Sequence, residues 1–592
     1  MGTGRLTLFI LMMAITGAAA YAGSLIAGGG GAAIGAVSGV GASALGEAGK
    51  RWLDSRDQLR RLREHVFIPL PQGGGDEPQA SPAAMLVPER AIVPFTGREP
   101  ELSELVDWCV HWNDDPLRLV VGVGGSGKTR LVQELSAKLH DWDCNWVRTG
   151  EEPDALRAAR RHNSLVVVDY AETKSRDKLG RLIRSLAWPP GRKSLRVLLI
   201  ARAGGDWWSE LTEKADTIQE RRILSRAVHM KLDPIAGGGS LAAHHYRTAV
   251  RAFSDALILS VGSTVAPAFD PAATILVVHI AALLAVLGPG RLASDQYDEF
   301  LEHEDRYWQR SAESCGLAHL SRKARRESVA ELTLTGANTI TDVAEQLKRV
   351  PDLAGTSAGS RRAVAQWLQD LYPAEGLDRL GSFRPHVLAE HLVVRELAAD
   401  HGFANRSLMH LQENNAQHAF TVLGFAAQHE QQAVRMIAES VAANPGQMIV
   451  PAVSAVVETG VLLDAFLAAQ VQTASLGTLQ LARASMAIPR RSNSLDRTAT
   501  VVRRKFIETG TTELKRIRGP AASQGETRQR QTELMEYARV SRIFHDEGRG
   551  LPARMRRQLI EALEGQEESL ISSGRLQEAR EISRELTWIN DH

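Results

Sequence analysis

Eight consecutive residues, Gly122-Val123-Gly124-Gly125-Ser126-Gly127-Lys128-Thr129, fit the pattern G-x-x-x-x-G-K-[ST] throughout. The chemistry of that pattern is phosphate binding. Its glycines let backbone N–H groups turn inward around phosphate oxygens. A helix opening at the end of the loop adds the partial positive charge of its N-terminus. Lys128 is then the cation for the β- and γ-phosphates of ATP, and the Thr129 hydroxyl is a ligand for Mg2+. The flanks are of the required kind. Leu117–Val121 is an apolar, β-rich run before the loop, and residues from about Thr129 to Leu139 have helical composition after it. That strand–loop–helix context separates a phosphate site from a chance glycine-rich turn.

Such a loop needs a second acid for the metal. Leu165-Val166-Val167-Val168-Asp169 supplies one at the end of a buried strand, the alternative being an ordinary strand-end carboxylate. Glu172 follows three residues later as the candidate to polarise an attacking water, with Asp177 among the rival acids nearby. A further strand, Leu195–Ile200, ends in Ala201-Arg202, where an arginine beside the loop would read the γ-phosphate unless it is only a surface residue. Trp207-Trp208 reads as packing.

These residues must be positioned by a sheet. The apolar runs Leu117–Val121, Asn145–Arg148, Leu165–Val168 and Leu195–Ile200 alternate with helical stretches. That alternation predicts an α/β core with a parallel sheet covered on both faces, over residues 95–235. After about Lys231 the strand signals fade into helices rich in Ala, Leu, Glu and Arg. With 592 residues, the chain exceeds what one core can organise. It divides into further units at 236–290, 291–400 and 401–592. No long-range repeat is visible, although Leu559–Leu586 reads as one degenerate tetratricopeptide-type helix pair.

From Leu6 to Gly46 there is no charged residue. That is far longer than the roughly 20 residues needed to span a bilayer. The run divides at Gly28-Gly29-Gly30-Gly31 and is flanked by Arg5 and by Lys50, Arg51, Arg56, Arg60, Arg61 and Arg63. Basic flanks favour the cytoplasmic side. Residues 1–46 are therefore read as a transmembrane hairpin with both ends and all later domains in the cytoplasm. A single span, or a signal peptide cleaved near Ala18-Ala19-Ala20, are the other readings. Gly31, Gly35, Gly39 and Ser43 share a helical face on which helices approach closely in lipid, either within the hairpin or between chains. Residues 47–94 read as a basic juxtamembrane helix followed by a Pro/Gly linker.

The net charge is +1, so the chain as a whole is not an electrostatic binder of nucleic acid. Its three cysteines, Cys109, Cys144 and Cys315, have neither metal-ligand spacing nor a disulfide framework.

Taken together, these motifs resemble the STAND class of signalling ATPases, which includes the NACHT and NB-ARC proteins. Phe95-Thr96-Gly97-Arg98-Glu99 with Glu101-Leu102 looks like the box that opens such modules near the adenine, which makes Arg98 a candidate nucleotide contact. Ile200-Ala201-Arg202 with Trp207-Trp208, Leu301–Trp308 and Arg384–Leu392 resemble segments of actinobacterial-type members with C-terminal helical repeats. The likeness covers about residues 95–400. It implies a helical domain at 236–290 and a winged-helix-like domain at 291–400 that clamp ATP or ADP. Pro271 falls near the family's adenine-contacting proline, although the glycine that should precede it is missing. His386 falls near the winged-helix histidine that senses ADP.

The resemblance implies a membrane-anchored switch that binds and slowly hydrolyses ATP, closed with ADP and homo-oligomeric with ATP. The C-terminal helices would meet a protein trigger and the N-terminus would carry the output, a defence role being one such output. The rival readings are a tethered constitutive AAA-type ATPase or remodeller, and a membrane scaffold with a structural nucleotide site. No Leu-Ser-Gly-Gly-Gln signature of a transporter ATPase occurs.

Overall fold

The computed structural model describes residues 58–69 and 81–591, apart from 112–114, 149, 160–162, 187–194, 214, 216, 235–238, 260–264, 289–294, 338, 374–379, 410, 412, 428–430, 456–462, 489–494, 518–523 and 547–549. The expected membrane hairpin, residues 1–46, lies outside the described residues, as does its stripe of small residues. Among the described residues no helix is long and apolar enough to cross a membrane.

Six strands form one mixed sheet in the order β1-β3-β4-β5-β2-β6. They are β1 (Phe67–Pro69), β2 (Leu117–Val121), β3 (Asp143–Val147), β4 (Ser164–Val168), β5 (Leu195–Ala201) and β6 (Val228–Lys231). All neighbours are parallel except β1, which runs antiparallel to β3. The four strands expected from sequence are all present. Within residues 95–235 the sheet is parallel as expected; β1, from the stretch read as juxtamembrane helix and linker, adds an antiparallel edge that makes the whole sheet mixed. Three residues ending in Pro69 carry little strand signal, and proline is tolerated there because β1 is a sheet edge. The opposite edge, β6, buries only Met230, so it too lacks the continuous apolar run of an inner strand.

Inner strands send alternate residues to two cores. Leu119, Val166, Val168, Val197 and Leu199 face one side, against helices Arg176–Leu186 and Ile218–Arg226. Val120, Leu165, Val167, Leu198 and Ile200 face the other, against Glu99–Val110 and the loop-following helix Lys128–Lys138. Burial on both faces is why these strands read as unbroken Val/Leu runs.

From residue 239 onward the described chain is helical, apart from an isolated antiparallel bridge between Pro373 and Leu380. One apolar core runs through these helices from Tyr246 to Ile589. The final pair, Ala553–Ser572 and Leu576–Asp591, packs together as the sequence pattern suggested. Ala83, Met85, Leu86 and Val93 also join this helical core. Residues 81–94, read as linker, are thus a packed strap. Its short helix Pro82–Met85 is fastened by the buried Glu304, whose Oε2 accepts the Ala83 N–H at 2.8 Å.

Candidate phosphate-binding site

In a parallel sheet, ligands gather at the carboxyl ends of the strands. Here β2 runs into Gly122–Thr129, β4 into Asp169, and β5, lying between them, into Arg202. The loop is fixed to its strands at both sides: Gly122 N–H donates to Ala201 O at 3.3 Å, and Leu232 N–H donates to Val121 O at 2.8 Å.

The loop needs its glycines. Gly125 and Gly127 have φ of +79° and +93°, the left-handed region that side chains disfavour. A Cβ on Gly122 would lie 2.7 Å from Ser126 Oγ, and one on Gly125 would lie 2.8 Å from Leu276 Cβ. Lys128 folds back on the loop, its Nζ donating to the carbonyls of Gly122 and Val123, the latter at 3.0 Å. Burial pushes its ammonium down to about 8, and Arg202 adds to the push. Thr129 lines the same cavity at the helix start, whereas Val123 is exposed and outside the cavity lining.

Asp169 Oδ1 accepts the N–H of Tyr170, a residue in the left-handed conformation, at 2.8 Å. That kink delivers the 3-10 turn Ala171–Thr173 with Glu172 facing the cavity. Glu172 Oε1 accepts the Arg202 N–H at 2.9 Å. Burial raises the pKa of both carboxyls, opposed by these backbone N–H bonds and by Lys128.

The Arg202 side chain does not stand free for a phosphate. It forms a bidentate pair with Glu390, NH1 lying 3.2 Å from Oε2 and NH2 closer still to Oε1. Its Cζ lies 3.9 Å from the centroid of the Phe425 ring. Glu390 is on the helix His386–Ala399 and Phe425 on Glu413–Ala426, both far beyond the sheet in sequence.

The remaining walls also come from outside the sheet domain. The helix Ile275–Leu287 abuts the loop, and Leu276 N–H donates to Gly125 O at 3.1 Å. The loop thereby caps a donor that the helix start leaves unpaired. Arg384, His386 and Val387 close another side, with Arg384 paired to Glu89 at 2.8 Å. His386 is neutral, held by burial at about 3. The strap contributes Val93 and Pro94.

Two expected nucleotide contacts need adjustment. Arg98 lines the cavity, but its guanidinium is engaged by Glu101 at 2.7 Å and by the Asp233 carbonyl. It ties the start of the sheet domain to the end of β6. Pro271 is exposed and outside the cavity wall, which Ile275, Leu276 and His279 form instead. Sequence reasoning also missed Glu390 and Phe425. Glu390 lies within a segment noted for its resemblance, but nothing in the sequence pairs it with an arginine 188 residues away.

The site fits an anionic oxygen-rich ligand with a hard cation. Ser126 Oγ and Glu172 Oε2 are buried polar atoms without a hydrogen-bond partner among the described residues. The glycine cradle is closed to side chains, and Lys128 rests on carbonyls that offer it only partial charge. Thr129 and Asp169 are the oxygen donors that Mg2+ prefers. Searched against protein-family models and curated proteins, the sequence matches none of them.

Proposed function

We propose that this chain is a nucleotide-dependent switch of the STAND class, binding ATP or ADP with Mg2+ at Gly122–Thr129. The observation that carries the reading is the cavity's composition. Its phosphate-binding floor belongs to the sheet domain, while its walls come from the helix Ile275–Leu287, from Arg384–Val387 and from the strap. A ligand in such a cavity would touch the sheet domain, the strap and both units that follow the sheet domain, 236–290 and 291–400. A constitutive ATPase needs no such enclosure by its C-terminal half.

Within this reading, Lys128 and the loop N–H groups bind the phosphates, and Thr129 and Asp169 would hold Mg2+. When bound, the cation would neutralise phosphate charge and polarise the bond that hydrolysis breaks. Glu172 Oε2, free of hydrogen bonds among the described residues, is the acceptor for the proton of the attacking water. Ile275–Leu287 belongs to the helical domain, and residues 291–400 act as the winged-helix-like domain. Residues 1–46 supply the membrane anchor, and the helices after residue 400 receive a protein trigger.

The test is the oligomeric state of the purified full chain with ADP and with a non-hydrolysable ATP analogue, beside Lys128→Ala. Assembly that follows the triphosphate and requires Lys128 supports the switch. Steady ATP turnover with one unchanging oligomeric state would instead support a tethered constitutive ATPase.

A further inference from the structure

The Arg202–Glu390 pair has a meaning beyond packing. Both side chains are almost fully buried, at 3% and 7% exposure. The guanidinium is sandwiched in place: Phe425 covers it, and a Cβ on Gly124 of the phosphate loop would lie 3.5 Å from its Cζ. Arg202 thus lies against the loop, close enough to depress the Lys128 ammonium. Yet its charge is already matched by a bidentate carboxylate from another unit. A planar carboxylate and a terminal phosphate compete for the same fork of guanidinium donors.

We propose that Glu390 is a specificity-determining residue that makes the closed chain select a nucleoside diphosphate over a triphosphate. A diphosphate held by the loop and Lys128 leaves the pair intact. A triphosphate places further negative charge beside Arg202 and Glu390, repelled by the carboxylate as long as the pair persists. Tight triphosphate binding then requires Arg202 to leave Glu390. Glu390 lies on His386–Ala399 and Phe425 on Glu413–Ala426, so that exchange also removes the Arg202 contacts that tie two C-terminal elements to the sheet domain. The Glu172 bond to the Arg202 backbone N–H holds the residue's main chain still, so the exchange is confined to its side chain.

This inference rests on the nucleotide-switch reading, and the experiment keeps the two apart. Affinities of the full chain for ADP and for a non-hydrolysable ATP analogue are measured by calorimetry for wild type, Glu390→Gln and Glu390→Asp. A general structural defect lowers both affinities together, so the ratio is the readout. Glu390→Gln, which keeps the shape and loses the charge, is expected to raise the triphosphate-to-diphosphate affinity ratio at least tenfold. Glu390→Asp, which keeps the charge, is expected to retain most of the wild-type preference. If Glu390→Gln does not fold, Phe425→Leu loosens the cover over Arg202 without touching the carboxylate and is expected to shift the ratio the same way. An unchanged ratio in a folded variant, with both nucleotides bound in a Lys128-dependent manner, overturns the role of Glu390 alone. Absence of any nucleotide binding by wild type overturns the reading of the site and this inference with it.

Discussion

Glu172 accepts the backbone N–H of Arg202 across 2.9 Å, joining the ends of β4 and β5 beside the Gly122–Thr129 loop. One carboxylate oxygen is fixed by this bond, and the other is buried and unpartnered among the described residues. A general base must be held in place and still keep a free lone pair, and this arrangement does both. Glu172→Gln can keep the bond to Arg202, because an amide oxygen also accepts an N–H, though more weakly than a carboxylate, but it removes the basic oxygen. Hydrolysis should slow by roughly 100-fold, the usual contribution of a positioned base, while ADP affinity stays within a factor of about two. Single-turnover hydrolysis beside equilibrium binding separates the effects. Wild-type cleavage by this variant would transfer the role to another acid.

Lys128→Ala and Asp169→Asn should divide binding from metal dependence. Lys128 is a desolvated ammonium whose pKa burial has lowered to about 8, so its removal relieves an unfavourable burial. The thermal midpoint without nucleotide should hold or rise slightly, while ATP affinity collapses. Asp169→Asn should leave magnesium-free binding nearly unchanged and abolish the gain that Mg2+ confers. A magnesium gain that survives in Asp169→Asn would remove Asp169 from the metal site.

Glu304 gives the strap a pH dependence. Complete burial pushes its carboxyl up from 4.5 to about 7, against the Ala83 N–H bond, which favours the charged form. Between these values the folded chain holds a proton that the unfolded chain has lost. Stability from this group is therefore full below pH 4.5 and falls as pH rises to about 7. The total is up to about 3 kcal/mol. Glu304→Gln keeps an acceptor for Ala83 and cannot ionise, so its thermal midpoint should match wild type near pH 5 and exceed it at pH 8. Parallel pH profiles of the two proteins would show that Glu304 does not control this slope.

The sheet domain was legible because its signals are local. A glycine-rich loop, an unbroken Val run ending in Asp169, and an apolar strand ending in Arg202 each carry their meaning within a few residues. β1 and β6 were not, since a three-residue edge and a half-exposed edge have no apolar run to read. The strap was misread for a related reason. Pro82 and Pro88 suggest a linker, but both sit in the first turns of short helices, where proline is welcome. Its apolar residues reveal a packed segment only once the helical core they join is known. The enclosure of the site was least legible, because Arg202–Glu390 and Gly125–Leu276 are contacts between distant segments that share no periodicity.

Gly124 tests that enclosure directly. Its φ is not positive, so alanine is tolerable to the backbone, yet a Cβ there would lie 2.8 Å from Val387 Cγ2. That methyl belongs to a β-branched residue near the start of His386–Ala399, with little rotamer freedom to retreat. Gly124→Ala should therefore press this helix away from the phosphate loop, at an overpacking penalty of about 1–3 kcal/mol. The expected result is faster ADP release and greater protease sensitivity near residue 384. Val387→Ala removes the opposing methyls, so the double variant should recover slow release if the strain lies between these two residues. If Gly124→Ala releases ADP rapidly whether or not Val387 is truncated, the methyl instead disturbs the phosphate loop itself, and the helix contact has no part in retaining the nucleotide.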